Sequence, residues 1–219
     1  MPRLLFEKKG NAVWISHLDL MRMFQRAFKR AGLHLTHTQG FNPRPSVSIA
    51  LPLSVGIESS CELLDFRLDG ENASNEEILS RLNETLVEGV RVLAVYDQGQ
   101  KIKNLAYLDC LLSLEYDRGV PSDAPQAIRD LFSRESLIVL KKSKNGETEQ
   151  NIIPMLRSFA LDQEDANTLS IHARVCCQNP SLNPMQLCAA VESHLPEFAP
   201  DFAKVSRNEI YDHQEQIFR

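Results

Sequence analysis

Seven residues in the first fifth of the chain have types and spacings that suit chemistry on a polyanion. Arg22, Arg26 and Arg30 recur every four residues, the interval that stacks side chains along one face of a helix. Phe41, Asn42 and Arg44 fall in the stretch Gln39-Gly40-Phe41-Asn42-Pro43-Arg44-Pro45, where an aromatic ring beside a guanidinium suits a base and a phosphate. His17 stands ahead of the arginines, where an imidazole can hydrogen-bond or act as a general acid or base. Each has a plainer reading. The arginines can be a solvated face with Asp19 pairing locally, Phe41 can plug the core under a rigid turn, and His17 can tie the helix to the loop. Ser16-His17-Asp19 makes no catalytic triad, because adjacent helical residues point in different directions. No Gly-rich phosphate loop is present, and no metal site is expected, since His34 and His37 lack further ligands.

The elements that must position these residues are legible around them. Ser16 as a hydroxyl cap with Asp19 in the first turn predicts a helix from His17, ended by Gly32 after basic residues. At about 100° per residue, His17, Leu20, Met21, Phe24, Ala27, Phe28 and Ala31 gather on one face and Arg22, Arg26, Lys29 and Arg30 on the other. In the following loop, Gly40 permits positive φ and the two prolines stiffen the backbone. The expectation is one groove shared by Arg22, Arg26 and Arg44, with Phe41 at its edge and His17 near its floor. Residues 1 to 60 carry eight Lys/Arg against three Asp/Glu, and residues 61 to 219 carry sixteen against twenty-six. Basic charge is thus focused around this helix and loop, although the whole chain has a net charge of -5.

The remaining pattern predicts an α+β fold. Strands at 3–8, 47–53, 62–68 and 90–96 with helices at 17–31 and 75–86 give the order βαββαβ. After the polar stretch DQGQKIKN the order nearly repeats: strand 107–116, helix 124–132, strands 137–142 and 149–161 around an Asn145-Gly146 turn, strand 168–176, helix 184–195, strand 205–211. Two tandem ferredoxin-like modules with antiparallel sheets are expected, spanning 1–98 and 104–219. Five cysteines, Cys61, Cys110, Cys176, Cys177 and Cys188, lie in apolar segments and read as reduced core thiols. No apolar run reaches the roughly 20 residues of a membrane span and the start has no secretory signal, so a cytoplasmic, membrane-free protein is expected.

The segments SHLDLMRMFQRAFKRAG, QGFNPRP, SIALPLSVGIES and ELLDFRL, in this order, resemble the opening signature of the bacterial radical-SAM-linked proteins. In that family the domain occurs alone or fused behind cobalamin-binding and radical SAM modules. The resemblance implies a radical SAM protein as partner. No cofactor is expected in this chain, because its cysteine spacing does not match a cluster motif; the partner would carry the iron-sulfur cluster and S-adenosylmethionine. The leading expectation is an accessory or substrate-binding protein that presents RNA or a ribonucleoprotein through Arg22, Arg26, Arg30, Phe41, Asn42 and Arg44. A metal-independent endoribonuclease with His17 as acid/base is one alternative, and a protein–protein scaffold is another.

Overall fold

A computed structural model describes residues 1–70, 73–143 and 146–219. The described residues form a mixed α+β protein with four α-helices and antiparallel strand pairs, divided into two compact units. Unit 1 comprises Met1–Asn104 with Ile217–Arg219, and unit 2 comprises Leu105–Gln216.

In unit 1 the elements are β1 (Arg3–Lys8), α1 (His17–Arg30), β2 (Val47–Ile49), β3 (Glu58–Phe66), α2 (Asn75–Asn83) and β4 (Val90–Tyr96). A short 3-10 turn, Gly10–Trp14, joins β1 to α1. β1 lies between β4 and β3, and β2 extends the sheet from the far side of β3, all antiparallel. The core is what the two amphipathic helices bury against this sheet. Phe24, Ala27, Phe28 and Leu20 of α1 and Ile78 and Leu82 of α2 meet Leu4, Phe6, Leu64, Phe66, Val90 and Val92. Phe24 meets Phe6 edge-on at 4.8 Å, the geometry aromatic quadrupoles favour. Buried Arg3 is held by a two-pronged pair with Asp65 at 2.6 and 2.9 Å and lies 5.1 Å from the Phe218 ring. Gly99 is needed beside it: a Cβ there would come within 2.4 Å of the Arg3 guanidinium.

Both helices of unit 1 begin as their sequences predict. Ser16 Oγ accepts from the Asp19 amide at 3.2 Å, and at α2 Ser74 and Glu77 complete a reciprocal capping box. α1 ends in a two-bond stop: the Gly32 amide donates to Lys29 and the Leu33 amide to Phe28, with Gly32 at φ +65°.

Unit 2 runs β5 (Leu105–Glu115), α3 (Ala124–Phe132), β6 (Ile138–Ser143), β7 (Gly146–Asn151), β8 (Leu156–Gln163), β9 (Thr168–Cys176), α4 (Met185–His194) and β10 (Phe202–Asp212). Its sheet has the order β10-β5-β9-β8, with β6 and β7 as a separate hairpin. α3 packs on β8, and α4 packs on β5 and β6. Setting the hairpin aside, the order is fourth, first, third, second, as in unit 1.

Several expected boundaries move. The strand expected over 149–161 is two strands, because Ile152 leaves the extended region and Pro154 sits in a 3-10 turn over Ile153–Met155. The strand expected over 47–53 stops at Ile49, and β3 starts earlier, at Glu58. α2 ends at Asn83 rather than Leu86. Asn145 of the expected hairpin turn lies outside the described residues.

Candidate functional site: the exposed face of α1 and the loop that follows

The basic face of α1 is where its periodicity puts it. Arg22, Arg26, Lys29 and Arg30 are exposed while the opposite face is core. Arg22, Arg26 and Arg30 line one shallow cleft of about 390 Å³, completed by Asp19, Met23 and Val87. The three guanidiniums are not equivalent. Arg22 donates to Asp19 Oδ1 at 3.1 Å, a solvent-screened pair one helical turn away. That contact and the Ser16 hydroxyl hold the Asp19 carboxyl below the ordinary range, the hydroxyl being the larger cause. Arg30 donates to the Thr85 carbonyl at 2.7 Å and so ties α1 to the end of α2. Arg26 makes no ion pair among the described residues, which leaves its charge for a ligand.

The loop after α1 is a pinned projection. Thr38 closes it from both sides, its amide donating to the Arg44 carbonyl at 2.8 Å and its hydroxyl accepting from the Arg44 amide at 3.0 Å. Below this pair, Thr36 donates to the Arg67 carbonyl and Ser46 to the Thr36 carbonyl, so the loop base is stitched to the chain leaving β3. Phe41, Asn42, Pro43 and Arg44 are exposed, and Phe41 is fully so. The reading of Phe41 as a core plug is thereby corrected: the tight closure at Thr38 throws residues 39–43 outward. The single groove is corrected as well, since neither Arg44, Phe41 nor His17 lines the arginine cleft. The sequence gives no distance between a helix face and a loop beyond its C-terminus.

His17 begins α1 and is half-buried. Its Nδ1 is buried and has no hydrogen-bond partner among the described residues, so it does not tie the helix to the loop. Among the described residues no group of three or more His, Cys, Asp or Glu could hold a metal ion. The five cysteines are free, four of them buried.

Three features escaped the sequence reading. Trp14, Leu18 and Val55 are large apolar side chains left exposed near the start of α1. Lys8 is buried, its ammonium donating to the carbonyls of Val13 at 3.1 Å and Ile15 at 2.8 Å. Burial pushes its pKa down, with Glu62 opposing. In unit 2, Arg174 makes a two-pronged pair with Asp109, a further pair with Glu215 at 3.0 Å, and stacks 3.9 Å from the Tyr211 ring.

A family described as "Uncharacterized protein conserved in bacteria (DUF2344)" matches residues 2–184. The chain belongs to that family. The match covers both the α1 face and the loop and extends through most of unit 2. No protein of curated function matches the sequence. Among solved structures, a chain of a Cbf5–Nop10–Gar1 complex is similar at a TM-score of 0.50 and 8% identity, over 95% of this chain and 48% of that one. The present chain therefore spans about half of that relative, and at such identity the likeness concerns the fold alone. An unknown protein from Galdieria sulphuraria aligns over 94% of this chain and 96% of its own, at 11% identity and a TM-score of 0.26.

Proposed function

We propose that the protein is an accessory, substrate-binding partner of a separate radical SAM enzyme and that it presents RNA or a ribonucleoprotein through the exposed face of α1. The observation that carries the binding half is the cleft in which Arg22, Arg26 and Arg30 stand together, with Arg26 outside any ion pair among the described residues. Guanidiniums at one-turn spacing suit successive phosphates. The exposed Phe41 and Arg44 on the pinned loop offer a second contact point of the same chemistry. The enzyme half rests on the resemblance of SHLDL and GFNPRP to radical-SAM-linked proteins, and in this scheme the partner supplies the iron-sulfur cluster and S-adenosylmethionine. The shared strand order of the two units supports reading them as tandem ferredoxin-like modules, a fold that hosts many functions and so adds no more than a scaffold.

The test is binding of labelled RNA by the full chain over a series of salt concentrations, with and without any radical SAM enzyme recovered with it from native cells. Affinity falling steeply with salt is expected. Absent or salt-independent binding sinks the RNA half, and retention of an enzyme after nuclease treatment identifies direct protein contact. The endoribonuclease reading has one observation in its favour, the buried His17 Nδ1, which has no hydrogen-bond partner among the described residues. It requires cleavage of small RNAs by the purified chain that disappears in His17→Ala.

A further inference from the structure

We infer that Trp14 is a stacking platform for an unpaired base, so that the cationic face of α1 takes a single-stranded polynucleotide and holds one unstacked nucleobase at its N-terminal end. This rests on the reading of α1 as a polyanion face and names which polyanion fits it.

Trp14 is the only tryptophan in the chain and is 70% exposed. An indole so open leaves a large apolar area in water, yet the backbone that presents it is unusually well fixed. The buried Lys8 ammonium donates to the carbonyls on both sides of Trp14, those of Val13 and Ile15, and the Gly56 amide donates to Val13 from the other direction at 2.9 Å. Burying an ammonium is costly unless its donors are used, and here two of them go to this one short segment. Behind the ring stands Gly56, at φ +85°, where a Cβ would lie 3.6 Å from the edge of the indole. The outer edge of the ring thus lies close to Gly56, while most of the indole is open to solvent. Val55 and Leu18, 51% and 65% exposed, add apolar surface on the residue before Gly56 and in the first turn of α1.

Trp14 closes the turn that leads into α1, and Arg22, Arg26 and Arg30 follow at four-residue intervals along the helix, so the exposed indole precedes the cationic row at the N-terminal end of the same element. A flat, fixed aromatic ring at the head of a cationic row complements a strand whose phosphates are evenly spaced and whose bases are free to unstack. A duplex offers the phosphates but keeps its bases stacked, and an acidic protein surface offers charge without a flat π partner.

The test uses the full chain with a labelled mixed-sequence RNA of about 15 nucleotides, matching the size that single-strand sites cover, the same sequence as DNA, its RNA duplex, and a poly-glutamate peptide. Affinity is read by anisotropy and the environment of Trp14 by intrinsic fluorescence, which reports this position alone. Single strands should quench the tryptophan, and Trp14→Leu should weaken their binding about tenfold or more while changing duplex binding less than about twofold. Trp14→Phe, which keeps a ring, should recover part of the loss. RNA and DNA responding alike would mark the shared base and phosphate chemistry as the determinant, and a preference for RNA would add a contact to its hydroxyl; both support the platform. Oligonucleotide binding that is lost in Arg26→Glu but neither quenches Trp14 nor responds to Trp14→Leu overturns the platform and leaves the RNA-binding proposal standing. Binding of no oligonucleotide overturns both, and quenching by poly-glutamate alone assigns the surface to a protein.

Discussion

At the scale of single residues, identical side-chain types along α1 have been given different work. Arg30 is occupied by the Thr85 carbonyl and Arg22 by Asp19, so Arg26 is the arginine of the row with least structural duty. The cysteines show the same division between type and environment. Burial pushes the Cys110, Cys177 and Cys188 thiols up to about 12, with the Asp109 charge adding at Cys110 and Glu192 at Cys188. A thiol raised above its unfolded pKa of about 8.5 keeps its proton in the native state, so its contribution to stability is complete below that pH and is lost as pH rises toward 12. The thiolate is the nucleophile, so alkylation at pH 8 should leave these three unmodified in the native chain and label all five cysteines in urea. Mass spectrometry of the two digests reads the result, and equal labelling of Cys110 in both would contradict the burial argument.

At the scale of elements, α1 is stabilised by its core face and ends, and its charged face contributes little. Phe24 is fully buried and packs against Phe6, so Phe24→Ala should cost about 3 to 5 kcal/mol by urea unfolding. Ser16→Ala removes the cap that accepts from the Asp19 amide and should cost about 1 kcal/mol. A Phe24→Ala loss no larger than the cap loss would mean that the core relaxes around the missing ring. The loop follows a different logic: its rigidity comes from Thr38 and Thr36 bonding across its base, while its tip buries almost nothing.

At the scale of the whole molecule, charge is distributed against the net balance. A chain of net charge -5 carries its excess of Lys and Arg in the first 60 residues, and the structure of unit 1 gathers three of these arginines into one cleft. The double reversal Arg22→Glu with Arg26→Glu should leave the melting curve nearly unchanged, since both side chains are exposed. It should flatten the dependence of log affinity on log salt by about two on a duplex and somewhat less on a single strand. Unfolding of the double mutant, or an unchanged slope, would show that these arginines hold structure and that ligand binds elsewhere.

The elements around the candidate site were legible without coordinates because local rules govern them. The Ser16 cap, the Gly32 stop, the two faces of α1, α3 over Ala124–Phe132 and β9 over Thr168–Cys176 follow from capping chemistry and periodicity, which act within a few residues. Membership of an uncharacterized bacterial family could also be approached from ordered motifs, since the matched residues 2–184 contain the SHLDL and GFNPRP segments. What depended on distant partners could not be read. Pro154 breaks a run that alternates like one strand, and the register of Leu156 against Val175 then starts a new one. By residue type Phe41 could either plug the core or stand exposed at the edge of the loop, and the closure of the loop at Thr38 decides for solvent. Trp14 carries no local signal in the sequence that marks it as exposed. Its exposure is decided by Lys8 and Gly56, which reach it from β1 and from the chain before β3 and fix the backbone with the indole facing out.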